Sequence, residues 1–433
     1  MLLKGATKYL MAAAVGALSG LIGAAFHFCI EKATSGRLSL KTVMAAGDLP
    51  GWLVFAVMGG LGVSAALLLV RRVAPEAGGS GVPEIEGTLA GQRPLRWWRV
   101  LPVKFFGGLL AIGSGLALGR EGPTIHMGGA LGKMVADGFR ISREHAKTLV
   151  AAGAGAGLAA AFNAPLAGIV FVTEEMREAF DYNFVSLQSV ILASCASVVV
   201  SDWWLGQGPI MPIRNLALPP LGEMPLFLLL GILIGCIGVI FNKLLLGAVE
   251  IGERLRGTHA AAMAFAAGAA VGLLAWFLPD TVGGGELLVE SALLRHWGAP
   301  LLLALLVARL FTTVASFGSG VPGGIFAPLL ALGTLAGIAF GTAAHAVIGN
   351  MVSPPGVFAV ASMGALFAAT VRAPLTGIVL IIELTGAYDI GLTIILTCLS
   401  ATFTAEALGS RPVYHLLLER RLHDDQNDLR KSS

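Results

Sequence analysis

Gly113 to Pro123 reads GSGLALGREGP and Gly318 to Pro328 reads GSGVPGGIFAP, two stretches that share the pattern GSGxxxGxxxP. Outward from them the echo continues, with APLAGIVFVTE beginning at Ala164 and APLTGIVLIIE at Ala373. Two motifs in the same order at nearly constant offset point to a duplicated unit rather than to chance likeness of apolar sequence. The pattern leaves open whether the copies are parallel or inverted. The 58 glycines cluster in such motifs inside apolar sequence rather than in linkers, which predicts helices broken within a membrane. Strand alternation is absent, which disfavours a barrel, and the chain reads as all-α.

The surrounding composition fixes the solvent. A chain of 433 residues that is 56% hydrophobic and 13% charged, with mean hydropathy +0.81, is not a water-soluble core and shell. Charge-free stretches from Leu49 to Val70, Met224 to Asn242 and Gly257 to Pro279 each reach the roughly 20 residues that span bilayer hydrocarbon. No Asp, Glu, Lys or Arg occurs between Leu310 and Val371, so that region crosses or re-enters the membrane more than once. The formal net charge of +3 is too small to indicate a nucleic-acid partner. Lys4 and Lys8 precede an apolar stretch without a cleavage site and polar mature domain, which predicts a retained first helix. Arg420, Arg421, Arg430 and Lys431 place the tail after Leu418 on the cytoplasmic side by the positive-inside rule. Cys29, Cys195, Cys236 and Cys398 stand singly, which argues against a metal site or disulfide framework and predicts small core residues. The halves divide in the Pro/Gly-rich stretch from Gly206 to Pro225. This gives repeat one over about 1–210, repeat two over about 220–418, a short tail at 419–433 and no soluble regulatory domain.

Broken backbone at membrane depth is tolerated only where it faces protein or a water-filled cavity. Each helix that restarts there presents free N–H groups and a positive dipole end, a place for an anion. Three such starts are Gly79-Ser80-Gly81-Val82-Pro83, Gly119-Arg120-Glu121-Gly122-Pro123 and Gly323-Gly324-Ile325-Phe326-Ala327-Pro328. The plainer alternative is that they are tight turns and close helix contacts. Ser80 is otherwise a helix cap, Tyr414 an interfacial aromatic, and Glu121 an acid that stabilises a helix dipole. Arg120 reads as a structural partner or surface charge, and His126 as a histidine satisfied locally. Glu174 and Glu175 end a charge-free stretch from Thr148, with a solvated boundary as the competing reading because Arg177, Glu178 and Asp181 follow. Aligning the copies sets Glu174 against Glu383 but Glu175 against Leu384, so Glu174 reads as an acid for the fold and Glu175 as one for function.

GSGVPEIEG, GREGP and GGIFAP, in this order, resemble the signature segments of the CLC chloride channels and transporters, and the likeness runs from about Lys4 to Leu418. The resemblance implies a CLC-type fold of tilted and broken helices in two inverted repeats. It also implies a homodimer with one ion path per subunit and a multi-pass bacterial inner-membrane location. It makes Glu121 the gating glutamate and Glu175 the internal proton-transfer glutamate, the residue that separates exchangers from passive channels. Ser80 and Tyr414 become side-chain chloride ligands, with the amides of Ile325 and Phe326 completing the site. The expected activity is chloride–proton antiport, with chloride as substrate and no cofactor or metal. A passive chloride channel is the alternative. A remote one is an intramembrane serine protease, because Gly78-Gly79-Ser80-Gly81 reads GxSG.

Overall fold

The computed structural model describes residues 2–47, 49–177, 179, 183–213, 217–255, 257–295, 297–349 and 351–432, and among them the chain is helical with no strands. The first half carries α1 (Leu2–Ala45), α2 (Gly51–Val73), α3 (Val82–Leu89), α4 (Trp97–Gly113), α5 (Glu121–Gly138), α6 (Arg143–Phe162), α7 (Pro165–Glu175) and α8 (Phe184–Leu205). The second half carries α9 (Met224–Arg254), α10 (Gly257–Phe277), α11 (Glu286–Leu294), α12 (Ala299–Gly318), α13 (Phe326–Ile348), α14 (Pro355–Val371), α15 (Pro374–Thr385), α16 (Gly391–Ala407) and α17 (Val413–Ser432). Eight of the described helices are long and apolar enough to cross a membrane. The three charge-free stretches are α2, the front of α9 and α10, and the region from Leu310 to Val371 holds the end of α12 with α13 and α14.

The duplicated motifs fold alike. α4 and α12 both end at the first glycine of GSG, and Gly115 and Gly320 both take the left-handed conformation that a side chain resists (φ 102° and 75°). α5 and α13 then start at equivalent residues, Glu121 and Phe326. Further on, Asn163 and Arg372 both close a helix in the left-handed region, and α7 and α15 both start at the proline that follows.

Two reciprocal contacts fix how the copies are related. The Gly119 amide donates to the Gly324 carbonyl at 2.8 Å and the Gly324 amide donates back at 2.7 Å. Glu174 accepts from the Leu375 and Thr376 amides at 3.0 and 2.7 Å, while Glu383 accepts from the Leu166 and Ala167 amides at the same two distances. Equivalent residues that exchange identical contacts lie about a two-fold axis. The Gly119–Gly324 pairing is antiparallel, so the axis stands across the chain direction and the copies are inverted. The reading of Glu174 as an acid for the fold is thereby explained, since each carboxylate caps the other copy's helix.

Small residues let the helices close on one another. A Cβ on Gly128 of α5 would strike the Gly153 backbone of α6, and one on the equivalent Gly333 of α13 would strike Ser362 of α14. One detail departs from the sequence reading: Cys195 is exposed on α8 rather than in the core, while the polar tail continues α17. One face of the molecule carries α17, whose Arg420 pairs with Glu253 at the end of α9. The end of α2 lies on that face too, where Arg71 donates to the Leu255 carbonyl. The start of α2 lies on the opposite face, where Gly51 meets Trp276 near the end of α10. The 23 residues of α2 between them rise about 34 Å, enough to cross the hydrocarbon.

Glu174→Gln and Glu383→Gln should each lower thermal stability in detergent, by about 1–2 kcal/mol, because two amide caps weaken in either variant. The reciprocal geometry predicts similar losses for the two, read as the midpoint of a thermal unfolding scan.

Candidate functional site: three helix starts around Glu121

The first and third glycine motifs are bonded directly, the Gly79 amide to the Val321 carbonyl at 3.1 Å and the Gly323 amide to the Gly79 carbonyl at 3.0 Å. The second joins them through the Gly119–Gly324 pair. Their closeness is such that a Cβ added at Gly122 would lie 2.8 Å from Ser80 Oγ and 2.9 Å from Gly324 Cα. Only glycine leaves room there. The starts of α3, α5 and α13 therefore meet in one buried cluster, with their positive ends gathered.

Glu121 is the first residue of α5 and fully buried, and its carboxylate accepts from the Ala327 amide of α13 at 3.0 Å. The acid thus occupies a free N–H at the start of a neighbouring helix, where an anion would be held. Its other carboxylate oxygen has no hydrogen-bond partner. Ser80 is 2% exposed, and its hydroxyl does not cap α3, whose cap residue is Gly81, and completes no hydrogen bond of good geometry. Tyr414, in the first turn of α17, is fully buried rather than interfacial, stands 6.2 Å from the Phe326 ring and also has an unpartnered hydroxyl. The two hydroxyls lie close enough to interact, and Tyr414 is within electrostatic reach of Glu121, Glu175 and Glu86. Burying such groups without a full hydrogen bond costs about 1–3 kcal/mol each, and here three of them are gathered at converging helix starts. Ile325 caps α13 and Phe326 opens it, so their amides face the same cluster as Ala327's.

Glu175 ends α7 and is half-buried beside Glu86 of α3, a neighbour that sequence reasoning did not single out. Further residues it missed hold the first motif in place. Lys104 of α4 is fully buried and donates to the Ala77 and Gly79 carbonyls at 2.9 and 2.7 Å. Arg421 donates to the Gly78 carbonyl at 3.0 Å and pairs with Glu84, which Arg93 also holds at 2.6 Å. A lone lysine in the apolar run VLPVKFFGGLLAIG was a signal available in the sequence. Arg421 was read only as a topology charge, because its partners stand more than 300 residues upstream (|i−j|=337).

Arg120 is the structural partner expected, bonded to the Ala161 carbonyl at 3.1 Å and paired with Glu286 at 3.1 Å. His126 is not satisfied locally as expected. Its ring packs against Gly81 and both nitrogens lack a hydrogen-bond partner. Ser80 and His126 form no hydrogen bond with each other, and the GxSG motif lies at the start of α3.

A model of the voltage-gated chloride channel family matches residues 61–406. The chain belongs to the voltage-gated chloride channel, or CLC, family. This CLC chain is 46% identical to the H(+)/Cl(-) exchange transporter ClcA of Vibrio parahaemolyticus, over 98% of the chain and 92% of the relative. It is 47% identical to the ClcA of Vibrio cholerae, over 95% and 89% respectively. The crystal structure of a slow cyanobacterial Cl-/H+ antiporter superposes with TM-score 0.93 at 38% identity, over 96% of this chain and 98% of that one. A eukaryotic CLC transporter at 23% identity shares the fold with TM-score 0.79, over 95% of this chain and 74% of that one.

Gly122→Ala should disrupt the CLC core where Ser80 meets Gly324, costing about 2–4 kcal/mol of stability and broadening the detergent size-exclusion peak. Gly36→Ala, whose Cβ meets open space on α1, is the matched control and should be neutral or stabilising.

Proposed function

We propose that this chain is a secondary active transporter that exchanges chloride for protons, with Glu121 as the shared gate. The observation that carries the reading is the Glu121 carboxylate seated on the Ala327 amide, in the cluster where three helix starts converge. A chloride and a carboxylate both suit amides and hydroxyls at positive helix ends, so they compete for the same place. Ionised Glu121 fills the path. Protonated Glu121 loses its hold on the amides and yields the place to chloride. Ser80, Tyr414 and the amides of Ile325 and Phe326 supply donors that replace part of the ion's hydration without a full positive side chain, which keeps binding weak enough for release.

Protons reach Glu121 from the face that carries α17, by way of Glu175. Glu86 beside Glu175, and Tyr414 within electrostatic reach of both Glu175 and Glu121, give this route polar neighbours. An acid at Glu175 favours exchange over a passive channel. The arginine-bearing α17 face is assigned to the cytoplasm by the positive-inside rule, in a bacterial inner membrane. Two inverted repeats meeting near residues 206–225, and two such chains forming a homodimer with an ion path each, complete the reading.

Reconstitution in liposomes with chloride and pH electrodes tests it. The wild-type chain should drive protons uphill in a chloride gradient. Glu121→Gln should keep chloride flux and lose proton movement, and Glu175→Ala should also uncouple the two. Persistent proton antiport in Glu121→Gln would refute the assignment of the gate.

A further inference from the structure

We propose that Glu286 sets how tightly an anion is captured at the mouth of the path, by competing with it for the Arg120 guanidinium. The inference rests on the exchange reading above and adds a residue to it. Arg120 immediately precedes the gate and borders a cavity shared with Phe55 and Ala275, near the start of α2 and the end of α10 that lie opposite α17. Its Nε is taken by the Ala161 carbonyl and its Nη1 by a single oxygen of Glu286 at 3.1 Å, while its Nη2 is buried and unpartnered. A guanidinium can grip a carboxylate through two parallel hydrogen bonds, and here the pair is a single ion contact. The charge is neutralised, yet a donor remains for a second acceptor.

The surroundings open this pair to an incoming ion. Arg120 and Glu286 both border a cavity of about 220 Å³ that reaches Gly119 and Ala327, the backbone that frames the Glu121 carboxylate. Arg37 and Lys41 line the same cavity with Asp280, so it is a cationic space apart from two acids. On its other side the pair faces a larger cavity of about 1340 Å³ with His27, Glu31 and Glu290 on its wall. The Glu286 side chain is 40% exposed against 7% for Arg120, so the acid can swing toward water while the cation stays.

The position of Glu286 is built, not incidental. Gly285 precedes it in the left-handed conformation (φ 107°), and the glycine loop is tied down by the Gly283 amide bonding the Gly115 carbonyl at 2.8 Å. The fully buried Arg309 donates to the Thr281 and Gly283 carbonyls at 3.1 and 2.6 Å, spending its charge on that loop alone. Two buried or half-buried acids, Glu121 and Glu286, thus flank one arginine. The inner takes the anion's place at the amides, and the outer takes it at the guanidinium. An exchanger must release what it captures, and a guanidinium stripped of its carboxylate would hold chloride longer.

Chloride dependence measured separately on each face, in right-side-out and inside-out vesicles at constant ionic strength, decides the matter. Glu286→Gln should lower the half-saturating chloride on the Arg120 face by roughly three- to ten-fold and reduce the maximal rate. The α17 face and the proton-to-chloride ratio should keep wild-type values. Glu286→Lys should shift further in the same direction, and Glu286→Asp should stay near wild type. Unchanged half-saturation in both Gln and Lys variants, or an equal shift on both faces, overturns the proposal. An acid that merely starts α11 would give lower thermal stability with no one-sided shift, which also overturns it. Absence of exchange in the wild-type chain would instead sink the function on which the inference stands.

Discussion

Everything in the site hangs on two backbone hydrogen bonds between Gly119 and Gly324. Neither residue has a side chain, and neither could tolerate one, because a Cβ on either would press on the Glu121 carboxylate. The pair joins the two copies at equivalent points, so the helices that restart just beyond it, α5 and α13, begin side by side. Backbone freed from helices inside hydrocarbon must find partners within the protein. Here each copy's interrupted segment satisfies the other's, which is why the breaks can exist at membrane depth. The gathering of positive helix ends is then a consequence of symmetry rather than a separate construction.

Charge is placed around this core with two different purposes. Lys104 and Arg309 are fully buried and bond only to carbonyls, so they act as clamps on irregular backbone. An unpaired buried cation is costly, and several carbonyl dipoles offset part of that cost. Glu174 and Glu383 do the converse with amides. Glu121, Ser80 and Tyr414 are gathered at the converging helix starts, and each keeps an oxygen without a full hydrogen bond there.

Much of this was legible in the sequence because glycine and proline carry local meaning. GSGxxxGxxxP announced both the duplication and the helix starts, and the alignment of Glu174 with Glu383 separated a structural acid from its neighbour. What stayed hidden depends on partners far along the chain. The inverted relation needed the reciprocal bonds, since the same repeats in parallel would have read identically. Glu286 belongs to none of the duplicated motifs, and only folding sets it against Arg120, 166 residues away by number. His126 was expected to find a partner nearby and instead packs its ring against Gly81, where shape outweighs hydrogen bonding. Cys195 faces outward because α8 turns that side of its apolar surface away from the protein interior.

The last helix joins two levels of the molecule. Within α17, Tyr414 reaches the buried cluster while Arg421, two turns on, grips the Gly78 carbonyl beside Ser80. Both hydroxyls of the cluster are therefore carried by one stiff rod and the loop fastened to it. A shift of this helix would therefore move the Tyr414 hydroxyl and the loop that carries Ser80 together, which makes α17 a handle on the buried cluster.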